Sequence, residues 1–180
     1  MTDSYNVVLL VEQALTPADA AQVRSLHDEM DEPVTYHVIM PLEDAASRIE
    51  SAMGSLSAGE VLASPAMVMS DVDLEAVRRD CRERSDADLV ATLAALRSTG
   101  ATVTGCVVGE PPIDALAKKV AEVDGREAII LTRPHVVAEF FHVDWTSRAR
   151  RKLGVPVLHL LEHETLDEQA AGGGEGVTGV

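Results

Sequence analysis

Five short apolar runs, separated by stretches with helical periodicity, restrict the fold of this sequence more than any other feature. The runs are rich in β-branched residues and continuous in apolar character rather than alternating. Such runs are typical of strands that are covered on both faces, as in a parallel sheet. They are YNVVLLV (5–11), VTYHVIM (34–40), TVTGCVVG (102–109), AIILT (128–132) and VPVLHLL (155–161).

Helical patterns fill the intervals between the runs. Thr16 is predicted to cap the first helix, with Pro17 in its first turn and Asp19 completing a capping box. The apolar face of this helix is predicted to extend to Met30. Three further helices are predicted over 74–96, 113–123 and 145–153, and they end at Gly100, Gly125 and Gly154 respectively.

The alternation of strands and helices predicts an α/β fold. A parallel strand that follows a helical crossover is almost always reached by a right-handed connection. The sequence therefore predicts a three-layer sandwich, with helices on both faces of a five-stranded parallel sheet. In such open sheets, ligands bind beyond the carboxyl ends of the strands, where the strand order reverses.

The length of 180 residues favours a single domain, which we place at 1–163. An insertion at 41–73 interrupts the regular alternation. It either folds over the crevice at the strand ends or forms a satellite core on a helix, and the sequence leaves both readings open. Residues 164–180 have no periodicity and are predicted to form a flexible, acidic, glycine-rich tail.

Charge and cysteine content exclude several classes of protein. The formal net charge of −15 repels nucleic acid and anionic lipid, so neither is an expected partner. The start of the chain is acidic, unlike a secretory signal peptide, and no apolar run approaches the roughly 20 residues of a membrane helix. Cys81 and Cys106 stand apart without metal-ligand spacing. We therefore expect reduced thiols in a cytoplasmic protein.

Three segments give residues 5–161 a resemblance to the universal stress proteins. VVGEPPIDALAKKV is similar to the family's third unit, AIILTRPH to its fourth strand, and TSRARRKLGVPVLHL to its closing segment. The resemblance implies strand order 3-2-1-4-5, which places the ends of the first and fourth strands side by side. It also implies a homodimer in which the last strand, 155–161, pairs with its twofold mate.

The sequence departs from the family at the glycine signature of its ATP-binding members. That signature is Gly, two residues, Gly, nine residues, then Gly followed by Ser or Thr. Thr132 and His135 stand where the first two glycines are expected, and Trp145 with Thr146 stands near the last. Glycines let backbone N–H groups approach phosphate oxygens, whereas Pro134 lacks an N–H altogether. The resemblance therefore does not imply that ATP binds in the usual manner.

A candidate ligand crevice follows from the resemblance and the strand ends. Glu12 follows the first strand, where ATP-binding members commonly carry an acid. Arg133 and His135 could hold a phosphate or carboxylate. Alternatively, Arg133 pairs with a surface acid and His135 belongs to a simple turn. The candidate ligand-binding residues are Val11, Glu12, Met40, Thr132, Arg133, His135 and Thr146.

Other patterns favour structural roles over chemistry. Asp144 is interpreted as a helix cap rather than the partner of His142 in proton transfer. His159 and His163, with His135, complete no recognised metal spacing, so they are interpreted as sheet or surface histidines. No catalytic residue and no metal site are predicted.

The function predicted from the sequence is a cytoplasmic universal stress protein-like module that binds or regulates in the stress response. It is not expected to be an enzyme, and its partner is a small molecule or a protein. The first alternative is an adenine-nucleotide-binding protein that holds AMP, ADP or ATP through Glu12, the 132–135 loop and Thr146. The second alternative is an enzyme on a related nucleotide-handling fold, which would need a phosphate loop or a catalytic base.

Overall fold

A computed structural model describes residues 4–42, 74–132 and 151–161 of the chain. Residues 43–73, 133–150 and 162–180 lie outside the described residues, and so do most of the predictions for the insertion, for the 132–135 loop and for the tail. The elements are β1 (Tyr5–Val11), α1 (Pro17–Ser25), β2 (Val34–Pro41), α2 (Leu74–Ser98), β3 (Thr102–Val108), α3 (Pro112–Glu122), β4 (Glu127–Thr132) and β5 (Val157–Leu161).

The five strands form one sheet in the order β3-β2-β1-β4-β5, and every neighbouring pair is parallel. This confirms the predicted order and the predicted parallel sheet. β1 is the central strand, with β2 on one side and β4 on the other. The strand order reverses between β1 and β4, where Val11 pairs with Leu131 at the carboxyl ends.

Two apolar layers cover the sheet, because successive side chains of a strand point to opposite faces. Val7, Leu9 and Val11 of β1 pack into a core with residues of α1 and α2. Val8 and Leu10 pack on the opposite face with residues of α3 and with Leu153. Helices therefore lie on both faces, as predicted. The continuous apolar runs are needed because both faces of the central strands are buried.

Helix α1 begins as predicted but ends earlier. The Asp19 N–H donates to Thr16 Oγ1 at 3.2 Å, and the Thr16 N–H donates to the Asp19 carboxylate at 2.9 Å, which completes the capping box. The helix ends at Ser25, so the prediction that its face extends to Met30 is wrong. Beyond the helix, His27 turns inward and bonds Tyr36, and this contact competes with continued helix.

Helix α3 ends at Glu122, and Asp124 rather than Gly125 takes a left-handed φ, at 51°. Gly125 instead allows the backbone to pack closely against Val8 and Val120. A Cβ at this position would lie 3.1 Å from Val8 Cγ2 and 3.2 Å from Val120 Cα. The predicted stop at Gly100 is confirmed by its φ of 82°. The last strand begins at residue 157, two residues later than predicted.

Both cysteines are free thiols, as predicted, with Cys81 buried and Cys106 partly buried. Within the described ranges, no helix has the length and apolar character needed to cross a membrane.

Candidate functional site

The carboxyl edge of the sheet contains the point where ligands bind in doubly wound folds. β1 ends at Val11 and β4 ends at Thr132, so the chain leaves the two strands side by side. The connections from these strands run in opposite directions, towards β2 and towards β5. In doubly wound folds, ligands bind between diverging connections of this kind. Of the candidate residues, Val11, Glu12, Met40 and Thr132 are described, and they lie at this edge of the sheet.

Val11 and Met40 lie at this edge but inside the core. Their side chains are 0% and 1% exposed and pack in the cluster between the sheet and helices α1 and α2. Met40 pairs with Val107 of β3, one position beyond the last β1–β2 pair. These two residues therefore support the carboxyl edge from below, and any contact between them and a ligand stays a prediction.

Glu12 is the first residue after β1 and is partly exposed. Its loop is held at the far end, where Leu15 is buried and its N–H donates to Thr92 Oγ1 at 3.1 Å. Thr92 belongs to α2 and is fully buried. Thr16 then starts α1 through its capping box. Because of these fixed points, the Glu12 backbone is restricted to a short, anchored loop.

Thr132 ends β4 and is 8% exposed. Its Oγ1 lies 2.8 Å from Nε2 of His159, a residue of β5 that the sequence analysis interpreted as a sheet or surface histidine. Burial lowers the pKa of His159. The pair brings a hydroxyl and an imidazole together at the carboxyl edge. The interpretation of His159 as a sheet histidine is confirmed, but sequence reasoning missed its contact with Thr132, since that contact depends on the β4–β5 register.

Three candidate residues, Arg133, His135 and Thr146, lie outside the described residues, and their contributions stay predictions. Among the residues that are described, no group of three histidine, cysteine or acidic side chains could hold a metal ion.

A second polar cluster lies at the amino edge of the sheet, opposite the candidate site. His27 is buried there, with Nδ1 at 3.0 Å from the Tyr36 hydroxyl and Nε2 at 3.2 Å from Glu127 Oε2. The Tyr5 hydroxyl donates to the same Glu127 oxygen at 3.4 Å. A cavity of about 230 Å³ opens beside His27.

The donors and acceptors of this cluster match when His27 is neutral. Burial raises the pKa of Tyr36 to about 12, so its hydroxyl stays protonated and can donate to Nδ1. Nε2 then carries the proton and donates to the carboxylate of Glu127. The cluster therefore ties α1 to β2 and β4 as a structural contact, and its fully buried Tyr36 is inaccessible to a substrate.

The comparisons with known proteins find likeness only among solved structures. No protein-family model matches the chain, and no curated protein matches it. The structure of hypothetical protein MJ0577 is similar, with 12% identity and a TM-score of 0.54 over 89% of this chain and 99% of that chain.

Two structures of universal stress proteins are similar at lower scores. One is from Archaeoglobus fulgidus in complex with dAMP, with 13% identity and a TM-score of 0.46 over 88% of this chain and 98% of that chain. The other is from Arabidopsis thaliana with AMP bound, with 12% identity and a TM-score of 0.47 over 91% and 94%. At these identities the comparison concerns the fold alone, and the likeness to the MJ0577 structure agrees with the predicted α/β fold.

Proposed function

We propose that this protein is a binding and regulatory module of the universal stress protein type, whose ligand site lies at the carboxyl ends of β1 and β4. The observation that carries the proposal is the reversal of strand order between these two strands. In open parallel sheets this is where ligands bind. Glu12 and Thr132 are the first polar side chains at the two strand ends.

An adenine nucleotide is the ligand we propose for this site. A carboxylate that follows a strand end can accept hydrogen bonds from ribose hydroxyls, which is the role we assign to Glu12. Arg133 and His135 would contact the phosphate in place of the missing glycine cradle. A single phosphate needs fewer backbone donors than a triphosphate. We therefore propose AMP as the first ligand to test. The two universal stress protein structures named above contain dAMP and AMP, which are nucleotides of this kind.

The biological role we propose is ligand-dependent signalling in the cytoplasm under stress, without catalysis. At the carboxyl edge of the described chain, the Thr132 hydroxyl contacts the His159 imidazole, and we assign this pair to ligand binding. A second candidate function is partner binding without any nucleotide. It is favoured by Thr132 and His135, which stand where the family's cradle has glycine, and by Pro134, which lacks an N–H.

We also propose a homodimer through β5. This strand pairs with β4 on one side and is an edge of the described sheet. Its segment 155–161 carries no lysine, and an unprotected edge of this kind is usually paired or covered.

Native mass spectrometry with and without AMP tests the proposal. We expect a dimer that takes up one AMP per chain. Glu12→Gln should weaken AMP binding by roughly tenfold, because it removes a charged acceptor. Glu32→Gln is the matched control, since Glu32 lies at the amino edge and pairs with Arg126 at the surface.

The results of these experiments test nucleotide binding, the dimer and the role of Glu12 separately. A dimer that takes up no AMP, ADP or ATP at about 1 mM would favour the second candidate, partner binding without nucleotide. A monomer would refute pairing through β5. Equal AMP affinity of the Glu12→Gln and Glu32→Gln variants would remove Glu12 from the site.

A further inference from the structure

His159 approaches Thr132 diagonally across two strands. The β4–β5 register pairs His159 with Ile130, whereas Thr132 pairs with Leu161. The imidazole therefore reaches two residues forward along β4, towards the carboxyl edge, to place Nε2 at 2.8 Å from Thr132 Oγ1. Leu131 and Leu160 point into the core under α1 and α2, so Thr132 and His159 share the opposite face.

The hydrogen bond between Thr132 Oγ1 and His159 Nε2 can run in either direction, and we call these two directions its polarities. When Nε2 carries no proton, it accepts the Thr132 hydroxyl proton, and Thr132 can offer only oxygen lone pairs to a ligand. When Nε2 carries a proton, it donates to Oγ1, and the Thr132 hydroxyl proton becomes available for another acceptor. A phosphate oxygen without a proton accepts hydrogen bonds only, so a ligand that presents such an oxygen to Thr132 selects the second polarity.

We propose that His159 is a positioning residue that sets the direction of the Thr132 hydroxyl, so that protonation of His159 strengthens the binding of a phosphate-bearing ligand. This inference rests on the proposed function, because it concerns the same site at the carboxyl edge. It adds a residue that the sequence analysis placed outside the site, and it adds a dependence on pH. In protonated His159 both ring nitrogens carry a proton, so Nε2 can only donate to Thr132 Oγ1, which is the second polarity. The imidazolium also adds a positive charge near the anion.

The surroundings of His159 decide where protonation occurs. Burial lowers the pKa of His159 below the ordinary value of 6.5. β4 presents Ile130 and Thr132 to this face. Among the described residues of the other elements on this face, Asp114 of α3 is bonded to Lys152, which precedes β5. Burial therefore favours the neutral imidazole of His159, so protonation requires a lower pH than for an exposed histidine.

The sign of the pH dependence follows from linkage. A ligand that binds the protonated form more tightly takes up protons when it binds, and protonation strengthens its binding by the same factor. Affinity for AMP should therefore rise as the pH falls through the range in which His159 gains its proton. The bound anion also raises the pKa of His159, because a nearby negative charge favours the imidazolium.

The test measures AMP affinity by calorimetry between about pH 7.5 and 5.5 for the unmodified protein, His159→Gln and His37→Gln. Glutamine can donate to Thr132 but cannot gain a charge. His37 is the matched control, since it is another partly buried sheet histidine with a lowered pKa, bonded to Thr104 on β3. The phosphate of AMP titrates in this range too, so each affinity is divided by that of His159→Gln at the same pH.

For the unmodified protein, we expect the AMP affinity relative to that of His159→Gln to rise about tenfold between about pH 7.5 and about pH 5.5. The reason is that a charge-assisted hydrogen bond replaces a neutral one. The His37→Gln variant should show the same rise. Adenosine, which has no phosphate, should show none. A ratio that stays constant for AMP, or a rise that adenosine shares, would overturn the inference and leave the nucleotide site intact.

Nuclear magnetic resonance of the His159 ring protons gives a second readout that does not depend on a variant. Addition of AMP should raise the pKa of His159, and an unchanged pKa in a protein that binds AMP would also overturn the inference. If no form of the protein binds AMP at any pH, the proposed function fails first, and this inference fails with it.

Discussion

At the scale of single residues, His27 shows how both ring nitrogens of a buried histidine can find hydrogen-bond partners. Its ring accepts from Tyr36 and donates to Glu127, which also accepts from Tyr5. Tyr36 and Glu127 come from β2 and β4, the two strands that flank β1. The contact therefore joins parts of the chain that are distant in sequence.

Removal of the Tyr36 hydroxyl tests this description. Tyr36→Phe should lower the free energy of unfolding by about 1–3 kcal/mol, because Nδ1 of buried His27 loses its donor. Tyr5→Phe is the matched control and should cost less than about 1 kcal/mol, since the Tyr5 bond is 3.4 Å long and partly exposed. Urea denaturation at neutral pH measures both. Equal losses from the two variants would mean that the His27–Tyr36 bond contributes little.

The residue scale also shows what sequence reasoning misses. His159 belongs to an apolar run, and its spacing alone gives no sign of a site. Its contact with Thr132 requires the order of the strands, their register and the face on which both side chains lie. By contrast, the Thr16–Asp19 capping box is local and could be predicted directly, because its two residues are three positions apart.

At the scale of elements, the strands were predictable and several ends were not. Runs of β-branched residues mark strands that are buried on both faces, and all five runs became strands. The ends depend on tertiary contacts. α1 stops where His27 turns towards the sheet, and α3 stops where Gly125 packs against Val8 and Val120. No local pattern reports such contacts.

The packing of α2 on β3 depends on a glycine inside the strand. A Cβ at Gly105 would lie 2.9 Å from Leu89 Cδ1 of α2 and 3.1 Å from both Cβ and O of Val38. Glycine normally weakens a strand, so its presence here is explained by the close approach of α2 and β2. The site is affected indirectly, because α2 also carries Thr92, which holds the Glu12 loop.

Gly105→Ala should therefore lower the free energy of unfolding by about 1–3 kcal/mol through overpacking. Gly109→Ala is the matched control, since a Cβ there meets nothing within 4 Å. It should change the free energy of unfolding by no more than about 0.5 kcal/mol. Chemical denaturation of both variants gives the comparison. A neutral Gly105→Ala variant would show that α2 can move away from β3 at little cost.

At the scale of the whole molecule, the two edges of the sheet differ in kind. The amino edge carries the hydrogen-bonded cluster of His27, Tyr36 and Glu127, beside a cavity of about 230 Å³. The carboxyl edge carries Glu12 on an anchored loop and the Thr132–His159 pair, whose polarity can reverse. The resemblance implied the strand order, which is confirmed, whereas a ligand site at its reversal stays a prediction. Val11 and Met40 end runs that predict strands covered on both faces, and their burial is confirmed.

The net charge of −15 acts on the whole molecule as well. Its field opposes the approach of an anionic ligand, so a phosphate needs local positive charge to bind at the carboxyl edge. A protonated His159 supplies such a charge. We therefore expect the proposed binding of AMP to depend on both salt and pH.

We propose above that the ligand binds at the carboxyl edge of the sheet. The change in amide signals of ¹⁵N-labelled protein on addition of AMP would locate the bound nucleotide. We expect the largest changes at Glu12, Thr132 and His159. Changes centred on Gly100 and Thr102, beside the cavity at the amino edge, would contradict it, as would a spectrum that AMP leaves unchanged.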